Sequence, residues 1–84
     1  MKFSYKIKAE TGLHGRAAAR IVSKCKEYDS NISIIHNGRI GETDSIISLV
    51  TINAKQGDIV NVIIDGTDEV SVYEDFKGFI EETL

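Results

Sequence analysis

Phe3, Tyr5 and Ile7 alternate with Ser4, Lys6 and Lys8 at the start of this chain. A period of two turns one side of a strand to a core and the other to solvent, so a first strand is predicted from about residue 2 to 8. The period then lengthens. Ala18, Ile21, Val22, Cys25 and Tyr28 form one stripe at helical spacing, which predicts a helix over about 16 to 27. Alternation returns in Asn31-Ile32-Ser33-Ile34-Ile35-His36, followed by Asn37-Gly38, a pair that tolerates the positive φ of a tight hairpin turn. A short third strand, weakened by Gly41, is expected from Arg39 to Glu42.

Thr43-Asp44-Ser45 offers cap residues for a short helix bearing Ile46, Ile47, Leu49, Val50 and Ile52. Lys55-Gln56-Gly57-Asp58 reads as a turn into a fourth strand, Ile59 to Asp65, with Val60, Val62 and Ile64 on one face. Gly66-Thr67-Asp68 then opens a last helix over about 69 to 83. Its stripe is Val72, Tyr73, Phe76, Phe79 and Ile80. Gly78 interrupts that helix at a cost of about 1 kcal/mol relative to alanine. The order is βαββαβα. Its strands stand too close together for many parallel crossovers, which predicts an α+β open-faced sandwich. A mostly antiparallel four-stranded sheet should carry three helices on one face, as a single domain over residues 1–84.

Composition narrows the function. The net charge of −3 argues against generic nucleic-acid binding. An RNA-binding module would also want a stacking aromatic motif and a basic sheet, and neither is present. The acids gather late, at Glu69, Glu74, Asp75, Glu81 and Glu82; the bases gather early, at Arg16, Arg20, Lys24 and Lys26. The first helix therefore carries a local basic face. No apolar run reaches the roughly 20 residues that span a bilayer, and no export signal is recognised. With a lone cysteine, Cys25, no disulfide can close within the chain, and a cytoplasmic location is expected. Cys25 sits on the apolar stripe and is expected in the core. One cysteine and two histidines lack zinc-ligand spacing, and no phosphate-binding loop precedes a lysine and serine. Neither metal nor cofactor is expected. His36, beside a turn, reads as an ordinary surface residue.

His14 is different. It lies in Thr11-Gly12-Leu13-His14-Gly15-Arg16, where the strand pattern gives way to a helix. Backbone N–H groups at a helix start lack intrahelical partners and the helix dipole favours negative charge there, so the site suits a phosphoryl group. The same field disfavours imidazolium, which predicts a neutral, nucleophilic ring. Arg16 can present paired donors to phosphate oxygens.

Gly12-Leu13-His14-Gly15-Arg16-Ala17-Ala18 and Ser45-Ile46-Ile47-Ser48-Leu49-Val50, their histidine and serine thirty-one residues apart, resemble two motifs of one family. It is the histidine-containing phosphocarrier (HPr) family of the bacterial phosphotransferase system, regulatory paralogues included. The resemblance covers nearly the whole chain. It implies that His14 accepts a phosphoryl group from phosphorylated enzyme I and passes it to sugar-specific acceptor domains of the phosphoenolpyruvate-dependent system. Arg16 would stabilise the phosphate, with backbone donors from Gly15, Arg16 and Ala17. Such a chain is a carrier with a phosphohistidine intermediate rather than an independent enzyme. Partners would dock on Ala19, Arg20, Lys24, Ile46, Ile47 and Val50.

The alternative is a regulatory member. In Gram-positive relatives the serine matching Ser45 is phosphorylated by an HPr kinase, and the product binds a catabolite-control repressor. Three positions depart from the family pattern. Ala17 stands where proline is usual, Ser48 where glycine is usual, and Asp44 where a basic or neutral residue precedes the serine.

Overall fold

The computed structural model describes residues 1–84. The elements are β1 (Lys2–Lys6), α1 (Gly15–Cys25), β2 (Asn31–His36), β3 (Arg39–Glu42), α2 (Ile46–Thr51), β4 (Ile59–Asp65) and α3 (Glu69–Thr83). The strands form one sheet in the order β1-β4-β2-β3, every neighbouring pair antiparallel. The predicted order and sheet type both hold.

Alternation decides which way the sheet faces. Val60, Val62 and Ile64 of β4 and Ile32 and Ile34 of β2 are buried under the helices. They meet Ala18 and Ile21 of α1, Leu49 of α2 with Ile52 just after it, and Val72, Phe76 and Ile80 of α3 in one cluster. Fully burying an aliphatic or aromatic side chain of this size contributes roughly 1.5–3 kcal/mol. The other sheet face has no helix on it.

Gly41 does more than weaken a strand. A Cβ there would lie 3.1 Å from Leu49 Cδ2 and 3.2 Å from Ile52 Cγ2, so the missing side chain lets α2 settle on β3. Asn37 and Gly38, with φ of 49° and 78°, make the predicted hairpin turn.

Several boundaries and burials differ from expectation. β1 ends at Lys6 because Ile7 leaves the ladder: its N–H donates to the Asp58 carbonyl at 2.9 Å, and its own carbonyl accepts from Gly57 at 2.8 Å. α1 starts at Gly15 and stops at Cys25, two residues short, where the N–H groups of Glu27 and Tyr28 tighten into a turn. Cys25 is only half-buried, though burial still pushes its thiol up to about 11. His36 is the clear correction. It is buried, with Nδ1 2.8 Å from the Ile52 carbonyl and Nε2 3.0 Å from the Asp58 carboxylate. It ties the β2–β3 hairpin to the end of α2 and to the turn before β4.

Candidate functional site

The segment before α1 is held from below. The Leu13 N–H donates to the Ala54 carbonyl at 2.9 Å, and the Leu13 side chain enters the core. Gly12 makes that approach possible. Its φ is +63°, and a Cβ would come within 2.5 Å of the Ala54 oxygen. A bulkier residue would lift the loop off its support.

That support delivers His14 to the N-terminus of α1, where the residue is itself the helix cap. Its backbone is extended (φ −103°, ψ −175°), and its carbonyl accepts the Ala18 N–H at 2.8 Å. Its ring Nδ1 accepts the Arg16 N–H at 3.2 Å. The role was invisible in the sequence because histidine is outside the usual cap set of Ser, Thr, Asp and Asn. The N–H groups of Gly15 and Ala17 have no protein acceptor, and the first turn of α1 carries no acid. Arg16 is exposed and its guanidinium makes no ion pair. Two unpartnered N–H groups and an unpaired cation thus belong to the same helix start as the half-exposed His14 ring. That array fits a tetrahedral oxyanion.

α2 lies alongside. Ser45 caps it, its Oγ accepting the Ser48 N–H at 3.1 Å, while Ser48 Oγ accepts the Glu42 N–H at 2.9 Å. The apolar residues of α2 divide unevenly. Leu49 is buried, but Ile46, Ile47 and Val50 are 43%, 76% and 39% exposed. All three face outward because the six-residue helix meets the core through Leu49 alone.

The candidate basic rim also divides. Ala19 and Arg20 are exposed one turn beyond Gly15 and Arg16. The Arg20 guanidinium stands 5.9 Å from the centre of the Phe79 ring. Lys24 is turned toward α3, pairing with Asp75 at 3.3 Å and Glu27 at 3.4 Å. Its hydrogen bond to Asp75 holds the ammonium above its ordinary value. Asp75 is in turn held low, first by the Tyr28 hydroxyl that donates to it and then by Lys24. Lys24 is thus largely neutralised, and Arg16 and Arg20 carry the free positive charge beside His14. No three His, Cys, Asp or Glu side chains converge as a metal site.

Comparison with known proteins agrees with this geometry. The family model for the "PTS HPr component phosphorylation site" matches residues 1–82. A phosphocarrier protein HPr from Buchnera aphidicola is 38% identical over 77 residues, covering 92% of this chain and 91% of its own length. The solved histidine-containing phosphocarrier protein of a Mycoplasma superposes with a TM-score of 0.91 at 30% identity, covering 99% of this chain and 94% of that one. Crh, the Bacillus subtilis catabolite repression containing protein, superposes with a TM-score of 0.77 at 25% identity, over 95% and 92% of the two chains. On these matches, which run almost from end to end, the chain belongs to the HPr family of the phosphotransferase system.

Proposed function

We propose that this chain is a phosphocarrier of the phosphoenolpyruvate-dependent sugar phosphotransferase system. Acting as one domain over residues 1–84, it accepts a phosphoryl group on His14 from phosphorylated enzyme I and gives it to sugar-specific acceptor domains. One observation carries the reading: Nδ1 of His14 accepts the Arg16 N–H at the start of α1, beside the unpartnered N–H groups of Gly15 and Ala17.

Because Nδ1 accepts a hydrogen bond, it holds the lone pair while the neutral ring keeps its proton on Nε2. That lone pair attacks phosphorus, and the Nδ1–P bond forms as the bond to the donor's leaving atom breaks, its electrons returning to the donor. The Arg16 N–H loses its acceptor at that moment and is free to turn to a phosphoryl oxygen. Gly15 and Ala17 N–H groups and the Arg16 guanidinium supply further donors. Transfer to the acceptor domain is the same step reversed. Ile46, Ile47 and Val50 make an apolar docking centre, with Ala19 and Arg20 beside it and Lys24 at its far edge. A cytoplasmic location fits this role, and no helix is long and apolar enough to cross a membrane.

Incubation with enzyme I and phosphoenolpyruvate tests the reading. The expected product is an acid-labile phosphate on Nδ1 of His14, absent from His14→Ala. Failure to label with a competent enzyme I would reject it.

The second reading adds regulation at Ser45, by an HPr kinase and a catabolite-control repressor. The likeness to Crh and the place of Ser45 at a helix start support it, since phosphate is electrostatically welcome there. Asp44 and Glu42 close by oppose it, which ranks it second. Incubation with an HPr kinase and ATP, followed by mass mapping, decides the matter; an unmodified Ser45 would remove this reading and leave the first intact.

A further inference from the structure

The phosphocarrier reading uses the helical side of the molecule and leaves the bare side of the sheet without a role. That face is not uniformly polar. Ile40, Ile59 and Ile63 are 57%, 60% and 38% exposed there, and Ile35 is half-buried between them.

The ladder fixes how these residues are arranged. One row across the four strands reads Lys2, Ile63, Ser33, Glu42; the next reads Ser4, Asn61, Ile35, Ile40. Lys6 and Ile59 extend the face at one end, Asp65 and Asn31 at the other. Positive charge therefore lies on the β1 edge, at Lys2 and Lys6, and Glu42 lies opposite on the β3 edge. Ser33 Oγ, 3.2 Å from a Glu42 carboxylate oxygen, steadies that carboxylate on the sheet. The two apolar residues nearest the middle, Ile63 and Ile35, belong to the two central strands, β4 and β2.

We propose that this face docks a second copy of the chain, face to face, about a twofold axis parallel to the strands. Such an axis lays β1 of one copy over β3 of the other while keeping each row in register. Lys2 then stands over Glu42 of the second copy, and Glu42 over its Lys2. Ile35 and Ile63 of both copies cluster about the axis, with Ser33 and Asn61 between them and the two ion pairs at the rim. The other in-plane twofold, across the strands, lays β1 over β1 and brings lysines together. Charge thus selects one arrangement of two. Sheets stacked this way sit about 10 Å apart, room for one interdigitated layer of side chains.

The size of the face sets the strength. Four strands at about 4.8 Å spacing, four to seven residues long, bury on the order of 1,000 Å² between two copies at most, the low end for a specific complex. The dimer is therefore weak and concentration-dependent. His14 lies at the start of a helix on the opposite side of each sheet, so both phosphoryl sites stay open to partners.

Sedimentation of the full chain from about 10 µM to about 1 mM tests this. The expected result is a reversible monomer–dimer equilibrium. Ile63→Lys, on a solvent-facing position, should leave a folded monomer by circular dichroism. Lys2→Glu should weaken the dimer about tenfold, and adding Glu42→Lys in the same chain should restore it by reversing both pairs. A monomer throughout the range overturns the proposal. So does a dimer indifferent to Ile63→Lys, or one that the double reversal fails to rescue, as expected if copies instead exchange a strand. A face that binds only a different protein would give a monomer here and so count against it.

Discussion

His14 and Ser45 occupy matching places at the starts of α1 and α2. Each is an extended residue whose side chain accepts a backbone N–H of its own helix, at 3.2 Å and 3.1 Å. Their surroundings differ. α1 is eleven residues long, has no acid in its first turn, and sets Arg16 and Arg20 beside the cap. α2 is six residues long and follows Glu42 and Asp44 directly. The same local hydrogen bond therefore stands in a field that draws phosphate in one case and resists it in the other. α3 makes a third case. Asp68 at its start makes no side-chain bond to its own helix; its carboxylate accepts from the Ser30 hydroxyl and the Asp29 N–H. Cap geometry alone does not mark a chemical site, and the charge around it has to agree.

Exchanging the cap residue breaks the comparison most sharply. His14→Ser keeps an acceptor for the helix but removes the nucleophile, so folding should survive while phosphoryl uptake from enzyme I is lost entirely, as read by mass shift. Retained uptake would mean that the acceptor lies elsewhere. Arg16→Ala should slow uptake by about tenfold to a hundredfold in rapid-quench kinetics, because one charged oxyanion donor is gone. A rate within twofold of the parent would confine the stabilisation to backbone amides.

The second helix start should answer in stability. Ser45→Ala is expected to cost about 1 kcal/mol in urea unfolding, the usual loss for a serine cap. No loss would show that Ser48, through Glu42, holds α2 by itself. The smallest effect is expected at the third start. The Ser30 hydroxyl and the Asp29 N–H hold the Asp68 carboxyl below its ordinary value. The folded state thus binds its proton less readily than the unfolded chain does. That contribution is present at neutral pH and lost as pH falls below about 4. Unfolding curves taken between pH 6 and 3 should fall more steeply for the parent than for Asp68→Asn; identical slopes would contradict the assignment.

Element order and sheet type were readable because alternation or a helical stripe survives in β1, α1, β2, β4 and α3, while the Asn37-Gly38 turn and the Ser45 cap mark the shorter β3 and α2. The proposed phosphoryl site can be read from the sequence because its residues are neighbours in the chain: His14, Gly15, Arg16 and Ala17 need no distant partner to meet. What the sequence hid lies in contacts between distant segments. His36 looked like a surface residue because its partners, Ile52 and Asp58, arrive from α2 and from the turn before β4. Nothing near Gly12 announces the Ala54 carbonyl beneath it. Lys24 reads as part of a basic face until α3 brings Asp75 against it. The charge of a side chain is written locally, but its availability is settled by packing.

The unpartnered N–H of Ala17 bears on equilibrium rather than rate. A proline there would bring no N–H at all, whereas this chain has one more donor able to grip a bound phosphoryl group. A single added hydrogen bond contributes about 1 kcal/mol net, which is about fivefold in an exchange constant. The chain would hold its cargo that much more firmly than a proline-bearing relative, and in a mixed pool it would tend to stay charged after the relative had been emptied.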